Sequence, residues 1–356
     1  MKEAGKKIIV GLSGGVDSAV SAYLLKKAGY DVRAVFMKNF SERVAREYEC
    51  PWREDRLAAY RVAAFLNIPI TTWNFEKEYQ KRVMRYMFRE YRAGRTPNPD
   101  VMCNKEIKFA VFLQRAKVLG ISQIATGHYA RVKSDASGTY HLHKAIDSTK
   151  DQSYFLAALN QKQLSSVVFP VGGMTKKQVR ALAKKIGLPN AARPDSQGIC
   201  FVGPVTMKSF LKTRIKPKPG AIVDTKGKIL GQHEGVFYYT IGQRRGINLG
   251  GGPALYVIGK DMKRNQLIVG TKNQLELFTN TVKLGNIHWL AGVKKFPVSC
   301  RAKIRYRQRD EAVTIVRSGA GAAVAKFVRR QRAVAPGQTF AAYQGSELIA
   351  SATIVE

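Results

Sequence analysis

A glycine- and serine-rich loop near the amino terminus has the residue types that bind a phosphate group. It runs from Gly11 to Ser18 (GLSGGVDS), between an apolar run at residues 8–10 and a stretch with helical periodicity. Glycines let the backbone curl its N–H groups around an anion, and a helix N-terminus adds a positive dipole end. The lysine of a Walker A loop is missing, so the loop does not favour γ-phosphoryl transfer of the P-loop kind. Taken alone, the loop is also compatible with a plain structural turn.

Two of the four cysteines lie in segments that could do sulfur chemistry. Cys103 follows Asp100 in a stretch whose prolines fix the backbone before a predicted helix, and Cys200 lies in a glycine-bearing loop. An exposed helix N-terminus supplies roughly 0.3–1 kcal/mol, less than the ~1.4 kcal/mol that lowers a thiol pKa by one unit. Cys103 therefore needs a nearby cation, for which Lys105 is a candidate, or the Asp100 carboxylate. Each thiol alone is best interpreted as structural, but two such segments beside a phosphate loop favour chemistry.

The spacing of the cysteines does not fit an architectural use. Cys50, Cys103, Cys200 and Cys300 lie far apart, and no C-x-x-C pair occurs. The pattern predicts neither a zinc ribbon nor a disulfide scaffold.

The first half of the chain has the alternation of short apolar runs and amphipathic stretches that is typical of βαβ units. It predicts an α/β domain with a mostly parallel sheet. The predicted strands are residues 8–10, 32–36, 70–73 and 123–126, and the predicted helices are 16–28, 54–66, 76–91, 105–119 and 176–186. The last helix has the clearest signals, because Thr175 and Gln178 form a capping box and Gly187 follows its end.

A basic, proline-bearing connector at residues 212–219 marks a predicted domain boundary, beyond which the helical periodicity fades. Strands are predicted at 222–223, 238–241 and 267–269, and then at 301–307, 313–316, 323–328, 339–343 and 349–354, as in a small β-barrel. We therefore predict an α/β domain over 1–211, a small mixed or β-rich central domain over 212–278 and a C-terminal β-barrel over 279–356.

The charge of the chain indicates a polyanionic partner. Its 356 residues contain 60 Lys and Arg against 25 Asp and Glu, a formal net charge of +35. Such an excess attracts nucleic acid before any specific contact forms, although a merely soluble basic surface is the plainer alternative. No stretch approaches the ~20 apolar residues of a membrane span or the core of a signal peptide, so we expect a cytosolic protein without a membrane partner.

Several motifs in order along the chain resemble those of the bacterial tRNA-specific 2-thiouridylases, a family of ATP-pyrophosphatases with an adenine-nucleotide-hydrolase-like fold. The glycine loop alone would be weak support, but the set spans nearly the whole chain. The matching segments are Gly11 to Ser18, Met37 to Asn39, Arg95 to Phe109, Ala125 to Arg131, Lys150 to Leu156, Asp195 to Cys200, Tyr238 to Gly246 and Arg305 to Gln308.

The resemblance implies roles for individual residues. ATP would be bound by Gly11, Leu12, Ser13, Gly14, Gly15, Val16, Asp17 and Ser18, with Met37 and Gly127 near the adenosine. Cys200 would carry a persulfide, Cys103 would release or resolve the sulfur, and Asp100 would serve as acid or base. The tRNA would be contacted by Asn98, Pro99, Asp100, His128, Lys150, Asp151, Gln152, Arg305, Tyr306 and Gln338. Without the family, His128 is better interpreted as a packed histidine and residues 301–309 as a solvated strand face.

The implied reaction is adenylation of the C2 oxygen of wobble uridine 34, followed by sulfur transfer that gives 2-thiouridine, AMP and pyrophosphate. An anticodon base is already in a loop, so its extrusion costs less than from a duplex. The implied cofactors are ATP and Mg²⁺, the latter from ATP chemistry and not from a ligand motif. The implied partners are tRNA, with Lys, Glu and Gln acceptors expected, and a sulfur donor such as a cysteine desulfurase or relay protein. Two rivals remain: another tRNA-modifying ligase of the same superfamily, and a non-catalytic tRNA-binding protein.

Overall fold

The computed structural model of the chain describes residues 5–41, 52–195, 206–319 and 322–355. These residues form two compact units. The first contains the described residues of Met1–Met84, Pro99–Val205 and Ser346–Ile349, and the second those of Arg85–Asn98, Thr206–Gly345 and Ala350–Glu356. No helix among the described residues is long and apolar enough to cross a membrane.

The helices are named in chain order. They are α1 (Val16–Lys27), α2 (Trp52–Phe65), α3 (Glu76–Tyr79), α4 (Arg85–Arg92), α5 (Pro99–Cys103), α6 (Phe112–Val118), α7 (Gln161–Leu164), α8 (Lys176–Lys185) and α9 (Met207–Lys212). Two π-helical segments, Gln80–Met84 and Asn104–Val111, join neighbouring helices, and short 3₁₀ turns cover Ser153–Leu156, Val236–Tyr238 and Leu275–Leu277.

The strands are named in the same way. They are β1 (Lys7–Gly11), β2 (Asp31–Lys38), β3 (Ile70–Asn74), β4 (Ile124–Ala125), β5 (Ala130–Ser134), β6 (Tyr140–Lys144), β7 (Val167–Val168), β8 (Gly220–Val223), β9 (Ile229–His233), β10 (Leu255–Asp261), β11 (Gln266–Thr271), β12 (Phe278–Trp289), β13 (Val298–Lys303), β14 (Glu311–Arg317), β15 (Ala323–Arg332), β16 (Thr339–Gln344) and β17 (Glu347–Ile354).

The first unit is built on a five-stranded parallel sheet in the order β3-β2-β1-β4-β7. Its central strand β1 is fully buried at Ile8, Ile9 and Val10, as expected for a strand covered on both faces. Side chains of α1, α2 and α8 join β1 and β2 in one apolar core. The predicted parallel α/β domain is confirmed. The carboxyl end of β1, between β2 and β4, is where such sheets bind ligands.

A β-hairpin in the first unit was not predicted from the sequence. Strands β5 and β6 pair antiparallel over five residues each, and Leu142 of β6 also pairs with Leu348. Residues 135–138 (DASG) make the turn, but the strands carry charged and histidine side chains and so lack a clear apolar alternation.

The second unit contains two β structures, which confirms the predicted mixed central region and C-terminal barrel. A four-stranded sheet has the order β10-β11-β8-β9, with β11 and β8 parallel and the other pairs antiparallel. Six further strands follow the order β12-β15-β14-β13-β16-β17, and β12 also pairs with β17, so the barrel is closed. Among the described residues, closure therefore pairs both edges of this six-stranded sheet. The predicted limits 1–211, 212–278 and 279–356 stay predictions.

Three predicted elements were wrong in type or extent. The helix that contains Cys103 begins at Pro99 and not at residue 105, because proline is favourable at the first helical position. Residues 238–241 are not a strand: Tyr238 ends a 3₁₀ turn, where its hydroxyl donates to the Ile215 carbonyl at 2.5 Å. The strand predicted at 301–307 ends at Lys303, and Arg307 has a φ of +66°, which no strand accommodates.

Candidate nucleotide and thiol site

The loop between β1 and α1 forms a cradle whose hydroxyl and amide groups converge. The Ser13 N–H donates to Ser18 Oγ at 3.2 Å, and Ser18 Oγ donates to the Gly15 carbonyl at 3.0 Å. Gly14 has a φ of +81°, a conformation that favours glycine. Gly15 is the N-cap residue of α1 and has no side chain to cap it. The first turn of α1 therefore offers its N–H groups to an anion.

Asp17 lies in the first turn of α1 and has two close partners. Lys176 Nζ contacts both of its carboxylate oxygens, at 2.7 and 2.8 Å, and the Tyr129 hydroxyl donates to Oδ1 at 2.8 Å. Burial and the neighbouring Asp17 carboxylate raise the pKa of Tyr129, so this hydroxyl stays a neutral donor. The geometry fixes Asp17 at one side of the cradle.

Lys176 also reaches a second carboxylate, that of Asp195. Its Nζ lies 2.7 Å from Asp195 Oδ1, while Lys150 Nζ and Arg180 Nη2 lie 2.8 and 2.7 Å from the same carboxylate. Burial alone would raise the pKa of Asp195, but these three cations lower it well below its usual range. Asp195 is therefore ionised at neutral pH.

The turn at Gly14 is held from outside the loop by two polar side chains. Asn190 Nδ2 and Arg193 Nη1 donate to the Gly14 carbonyl at 2.8 and 3.2 Å. Arg193 also forms an ion pair with Asp55 on α2. Burial raises the pKa of Asp55, although Arg193 opposes this effect. The cradle is thus braced by α2 and by the segment after α8.

Gly127 contributes by having no side chain. A Cβ on Gly127 would lie 2.6 Å from the Ser18 nitrogen and 2.7 Å from the Asp17 carbonyl carbon. The segment after β4 can therefore approach α1 closely only with glycine at this position. The resemblance placed Gly127 near the adenosine, and the structure places it against the cradle backbone.

A small cavity of about 50 Å³ lies beside the cradle and is lined in part by Ser13, Met37, Asn39 and Trp52. The Asn39 side chain is 2% exposed, and its Oδ1 has no hydrogen-bond partner among the described residues. An unpaired buried acceptor costs free energy unless a ligand or water pairs with it. Met37, which was predicted to lie near the adenosine, lines this cavity, and its contact with a nucleotide stays a prediction.

The Cys103 side chain is fully buried, at the carboxyl end of α5. Asp100, three residues earlier on the same helix, is half-buried, and Asn104 Nδ2 donates to the Phe155 carbonyl at 3.0 Å. Lys105 is half-exposed, with Nζ 3.9 Å from Glu106 Oε1, so its charge faces solvent and Glu106. The structure therefore gives no support to Lys105 as the cation that activates Cys103. Cys200 lies outside the described residues.

His128 is buried and packed between aromatic rings. Its Nδ1 lies 2.7 Å from Thr126 Oγ1, and its ring centroid lies 5.7 Å from that of Phe109 and 5.9 Å from that of Phe169. Burial, and then the charge of Lys108, lower the pKa of His128 well below its usual value. These contacts are those of a neutral packed histidine, and the predicted RNA contact of His128 stays a prediction.

Residues 150–152, predicted to contact tRNA, make mostly internal contacts. The buried Asp151 accepts hydrogen bonds from the N–H groups of Ala145 and Ser153 at 3.1 and 3.2 Å. Gln152 Oε1 accepts the Tyr129 N–H at 2.9 Å. With Lys150 bound to Asp195, the segment holds Tyr129 and Asp195 in place around the cradle.

The other predicted tRNA residues lie in the second unit, except Pro99 and Asp100. Arg305 Nη2 donates to the Ile241 carbonyl at 3.1 Å and to that of Ala333. Gln338 Nε2 donates to the Thr96 carbonyl at 2.8 Å, two residues before Asn98. The guanidinium of Arg307 lies 5.6 Å from the ring centroid of Tyr306. Arg305 and Gln338 thus have structural contacts in addition to any contact with RNA.

The donor set fits a nucleotide with a hydrated divalent cation. The cradle supplies hydroxyl and N–H groups for phosphates, and Asp17 supplies one hard carboxylate, the ligand type that Mg²⁺ prefers. Within the described ranges, no group of three or more His, Cys, Asp or Glu side chains could hold a metal ion. A cation here would therefore keep waters and phosphate oxygens as most of its ligands.

Sequence reasoning missed four residues of this site: Tyr129, Lys176, Asn190 and Arg193. Lys176 appeared only as the first residue of a well-capped helix, and Tyr129 only as part of a motif. Their contacts with Asp17 span 159 and 112 positions along the chain, and no local pattern records such distances.

Comparison with known families divides the chain into three matching segments. The family described as tRNA methyl transferase HUP domain matches residues 6–204, the tRNA methyl transferase PRC-barrel domain matches 208–271, and the aminomethyltransferase beta-barrel domain matches 279–354. These descriptions mention methyl transfer, whereas the full-length relatives are named for thiolation.

Curated proteins named tRNA-specific 2-thiouridylase MnmA match over nearly the whole chain. The protein from Cupriavidus necator is 47% identical over 352 residues, which cover 97% of each chain. That from Shouchella clausii is 45% identical over 356 residues, covering 99% of this chain and 97% of the relative. That from Enterococcus faecalis is 45% identical over 357 residues, covering 98% and 95%. Among solved structures, a 4-thiouridine synthetase in complex with RNA and ATP matches with 19% identity and a TM-score of 0.32, over 56% of this chain and 45% of that one.

Proposed function

Because the chain belongs to the tRNA-specific 2-thiouridylase family, we propose that it uses ATP to replace the C2 oxygen of wobble uridine 34 in tRNA with sulfur. The products are 2-thiouridine, AMP and pyrophosphate. The observation that carries the proposal is the cradle between β1 and α1, in which Ser13 and Ser18 converge beside Asp17. The loop resembles that of the ATP-pyrophosphatases, which cleave ATP between the α- and β-phosphates.

The first step activates an oxygen that is otherwise a poor leaving group. The C2 oxygen of uridine attacks the α-phosphorus of ATP, the bond to pyrophosphate breaks, and the N3 proton of the base passes to water. The cradle holds the phosphates in line for this attack, and the N–H groups at the start of α1 stabilise the charge that builds on them. Bound Mg²⁺ would supply further stabilisation of phosphate charge, with Asp17 as its protein ligand.

The second step delivers sulfur from Cys200. The terminal sulfur of a Cys200 persulfide attacks C2, and AMP leaves with the former C2 oxygen. The Cys103 thiolate then attacks the Cys200 sulfur, which breaks the S–S bond, frees 2-thiouridine and leaves a Cys103–Cys200 disulfide for an external thiol to reduce. We propose that Asp100, three residues before Cys103 on α5, moves the proton of that thiol. In the alternative route, Cys103 attacks the persulfide first and releases sulfide, which then attacks C2.

The burial of Cys103 fits this chemistry. A thiol with no exposure is protected from oxidation and from other thiols until the substrate reaches it. A water-poor site also protects the adenylated base from hydrolysis before sulfur arrives.

The tRNA partner is consistent with the net charge of +35 and with the residues named by resemblance. We propose that Asn98, Pro99, Asp100, Arg305 and Tyr306 contact the anticodon region. We propose that His128, Lys150, Asp151, Gln152 and Gln338 also contact the tRNA, in addition to the internal contacts described above. Acceptors for Lys, Glu and Gln, and a persulfide donor such as a cysteine desulfurase or relay protein, complete the proposed reaction in the cytosol.

The test is a reconstitution with purified full-length protein. The protein is incubated with ATP, Mg²⁺, unmodified tRNA and a cysteine-derived persulfide source, and the nucleosides are analysed by mass. We expect uridine to gain the mass difference between sulfur and oxygen, with one AMP per modified base. Gain of a methylene instead would favour methyl transfer. Release of pyrophosphate with an amine joined to the base would favour a ligase, and tRNA binding without tRNA-dependent pyrophosphate release would favour a non-catalytic protein.

A further inference from the structure

Lys176 has a set of contacts that none of the motifs explains. We propose that Lys176 is a positioning residue that neutralises Asp17, so that the phosphates of a nucleotide can enter the cradle with or without a divalent cation. The inference rests on the proposed function, because it concerns the nucleotide of that function. The inference adds to the proposed function a residue that sets how strongly nucleotide binding depends on the divalent cation.

The geometry of the Asp17 carboxylate supports this role. Lys176 Nζ lies 2.7 and 2.8 Å from the two oxygens, so it spans the carboxylate as a bidentate partner. The Lys176 side chain is 12% exposed, and its ammonium lies 5.9 Å from the centroid of the Tyr129 ring. An ion pair in such a place is screened far less than one on the surface.

Asp17 has no other cationic partner among the described residues. Its remaining side-chain contact is the Tyr129 hydroxyl, which is neutral. Without Lys176, a bare carboxylate would stand in the first turn of α1 beside the bound phosphates. A carboxylate and a neighbouring phosphate repel each other, so a nucleotide would then need a cation to bridge them.

Asp195 depends on Lys176 much less than Asp17 does. It keeps Lys150 and Arg180 at 2.8 and 2.7 Å when Lys176 is removed. Removal of Lys176 therefore changes the charge around Asp17 more than the charge around Asp195. When a cation takes the place of Lys176 at Asp17, the ammonium still has the Asp195 oxygen as a partner at 2.7 Å.

The start of α8 holds Lys176 where this exchange is possible. Thr175 and Gln178 form a capping box, and the Lys176 N–H donates to Asp147 Oδ2 at 2.8 Å. The backbone position of Lys176 is thus fixed by neighbouring contacts that do not involve its ammonium. A change of the side chain should leave the helix in place.

The test measures the ATP dissociation constant of full-length variants by calorimetry, once with EDTA and once with Mg²⁺. We expect Lys176→Met to weaken binding about tenfold or more in EDTA, but only about threefold or less in Mg²⁺. Lys176→Arg keeps the charge and should keep the wild-type ratio of the dissociation constant in EDTA to that in Mg²⁺. Lys177→Met is the matched control, since it removes the same charge from the next, exposed residue of α8 and should change neither value.

A double variant separates neutralisation of Asp17 from a direct contact between Lys176 and the phosphates. The cluster contains three cations and two carboxylates, and Asp17→Asn with Lys176→Met restores its net charge. We expect this double variant to recover binding in EDTA to within about threefold of wild type, without recovering the gain from Mg²⁺. If Asp17→Asn fails to rescue Lys176→Met in EDTA, Lys176 binds phosphate directly and the proposal is wrong.

Other outcomes also decide the question. An equal loss for Lys176→Met in EDTA and in Mg²⁺, with an unchanged unfolding midpoint, would overturn the proposal, as would no loss in either. If Lys176→Met lowers the unfolding midpoint, Lys176→Arg decides between charge and structure. It must keep the wild-type ratio of the ATP dissociation constants in EDTA and in Mg²⁺ if the charge matters. These measurements contain no tRNA. Failure of the proposed function appears separately, as a wild-type protein that binds ATP and forms no thiolated base.

Discussion

Gly127 lies so close to Ser18 that a Cβ at position 127 would come within 2.6 Å of the Ser18 nitrogen. The contact joins the segment after β4 to the first turn of α1, across the carboxyl end of the parallel sheet. It also brings Tyr129, two residues further on, within 2.8 Å of Asp17. The shape of the phosphate cradle therefore depends on a residue more than a hundred positions away from it.

Replacing Gly127 by alanine should disrupt this contact. The added Cβ meets backbone atoms of Asp17 and Ser18, which cannot move aside as a side chain can, so we expect ~1–3 kcal/mol of lost stability and weakened ATP binding. Thermal unfolding and calorimetric ATP titration measure the two effects. Gly173→Ala is the control, because its Cβ would meet no atom within 4 Å. Unchanged ATP affinity in Gly127→Ala would contradict the close approach.

The cysteines should separate into different phenotypes. We expect Cys200→Ser to abolish 2-thiouridine while tRNA-dependent pyrophosphate release continues, because adenylation precedes sulfur transfer. Cys300→Ser should leave both unchanged: burial raises the pKa of the Cys300 thiol to about 12, so it is no nucleophile at neutral pH. Nucleoside mass analysis and a pyrophosphate assay measure the outcomes. Full thiolation by Cys200→Ser would remove the persulfide assignment.

Cys103→Ser distinguishes the two routes of sulfur transfer. If the persulfide attacks C2 directly, the variant cannot resolve the S–S bond, and tRNA should accumulate on Cys200 as an adduct that a reductant cleaves. If sulfide is released first, the variant stops earlier and forms no adduct. Denaturing gel electrophoresis with and without reductant reads the difference, and Cys103→Ser with Cys200→Ser is the control that can form no adduct by either route.

Local patterns predicted the parts of this fold whose causes are local. The capping box of α8 was read correctly because Thr175 and Gln178 are three residues apart, and β1 because an apolar run between turn signals is typical of a buried parallel strand. The prediction of a strand at 238–241 was wrong because the tertiary packing of Tyr238 favours a 3₁₀ turn over an extended strand.

The candidate site was predicted where motifs carry it and missed where distant residues complete it. The cradle from Gly11 to Ser18 follows from glycine and serine chemistry next to a helix. The cluster of Asp17, Lys176 and Asp195 does not, because a salt bridge between distant residues leaves no periodic trace in the sequence. Lys105 was proposed as an activating cation from proximity in sequence, yet its side chain lies beside Glu106.

His141 should make stability depend on pH. Its Nδ1 lies 2.7 Å from Glu347 and its Nε2 lies 3.0 Å from Asp135, and these hydrogen bonds, that of Glu347 first, raise the pKa of His141. A raised folded-state pKa adds stability below the unfolded value of about 6.5, and this stability is lost as pH rises through the folded-state pKa. We expect the wild-type unfolding midpoint to fall over this range and His141→Gln to flatten the slope.

A second histidine of β6 provides the control for this titration. Burial lowers the pKa of His143, so its contribution has the opposite sign: it is present above about 6.5 and lost as pH falls. His143→Gln should therefore keep the loss of stability above pH ~6.5. An equal pH profile for wild type and His141→Gln would show that the pair with Glu347 contributes nothing measurable.

Arg305 should affect stability as well as tRNA binding. Its guanidinium donates to the carbonyls of Ile241 and Ala333, so Arg305→Ala leaves two carbonyls without this donor and should cost roughly 1–3 kcal/mol of stability. Arg309→Ala removes the same charge from an exposed residue four positions further on and should leave stability within about 0.5 kcal/mol of wild type. Both variants lose one cation, so a purely electrostatic role predicts equal losses of tRNA affinity and equal changes in its salt dependence.

A larger affinity loss for Arg305→Ala at a temperature where both variants are folded indicates direct recognition of RNA. Equal losses, together with a lowered unfolding midpoint for Arg305→Ala alone, would restrict Arg305 to joining the segment before β10 to the segment after β15.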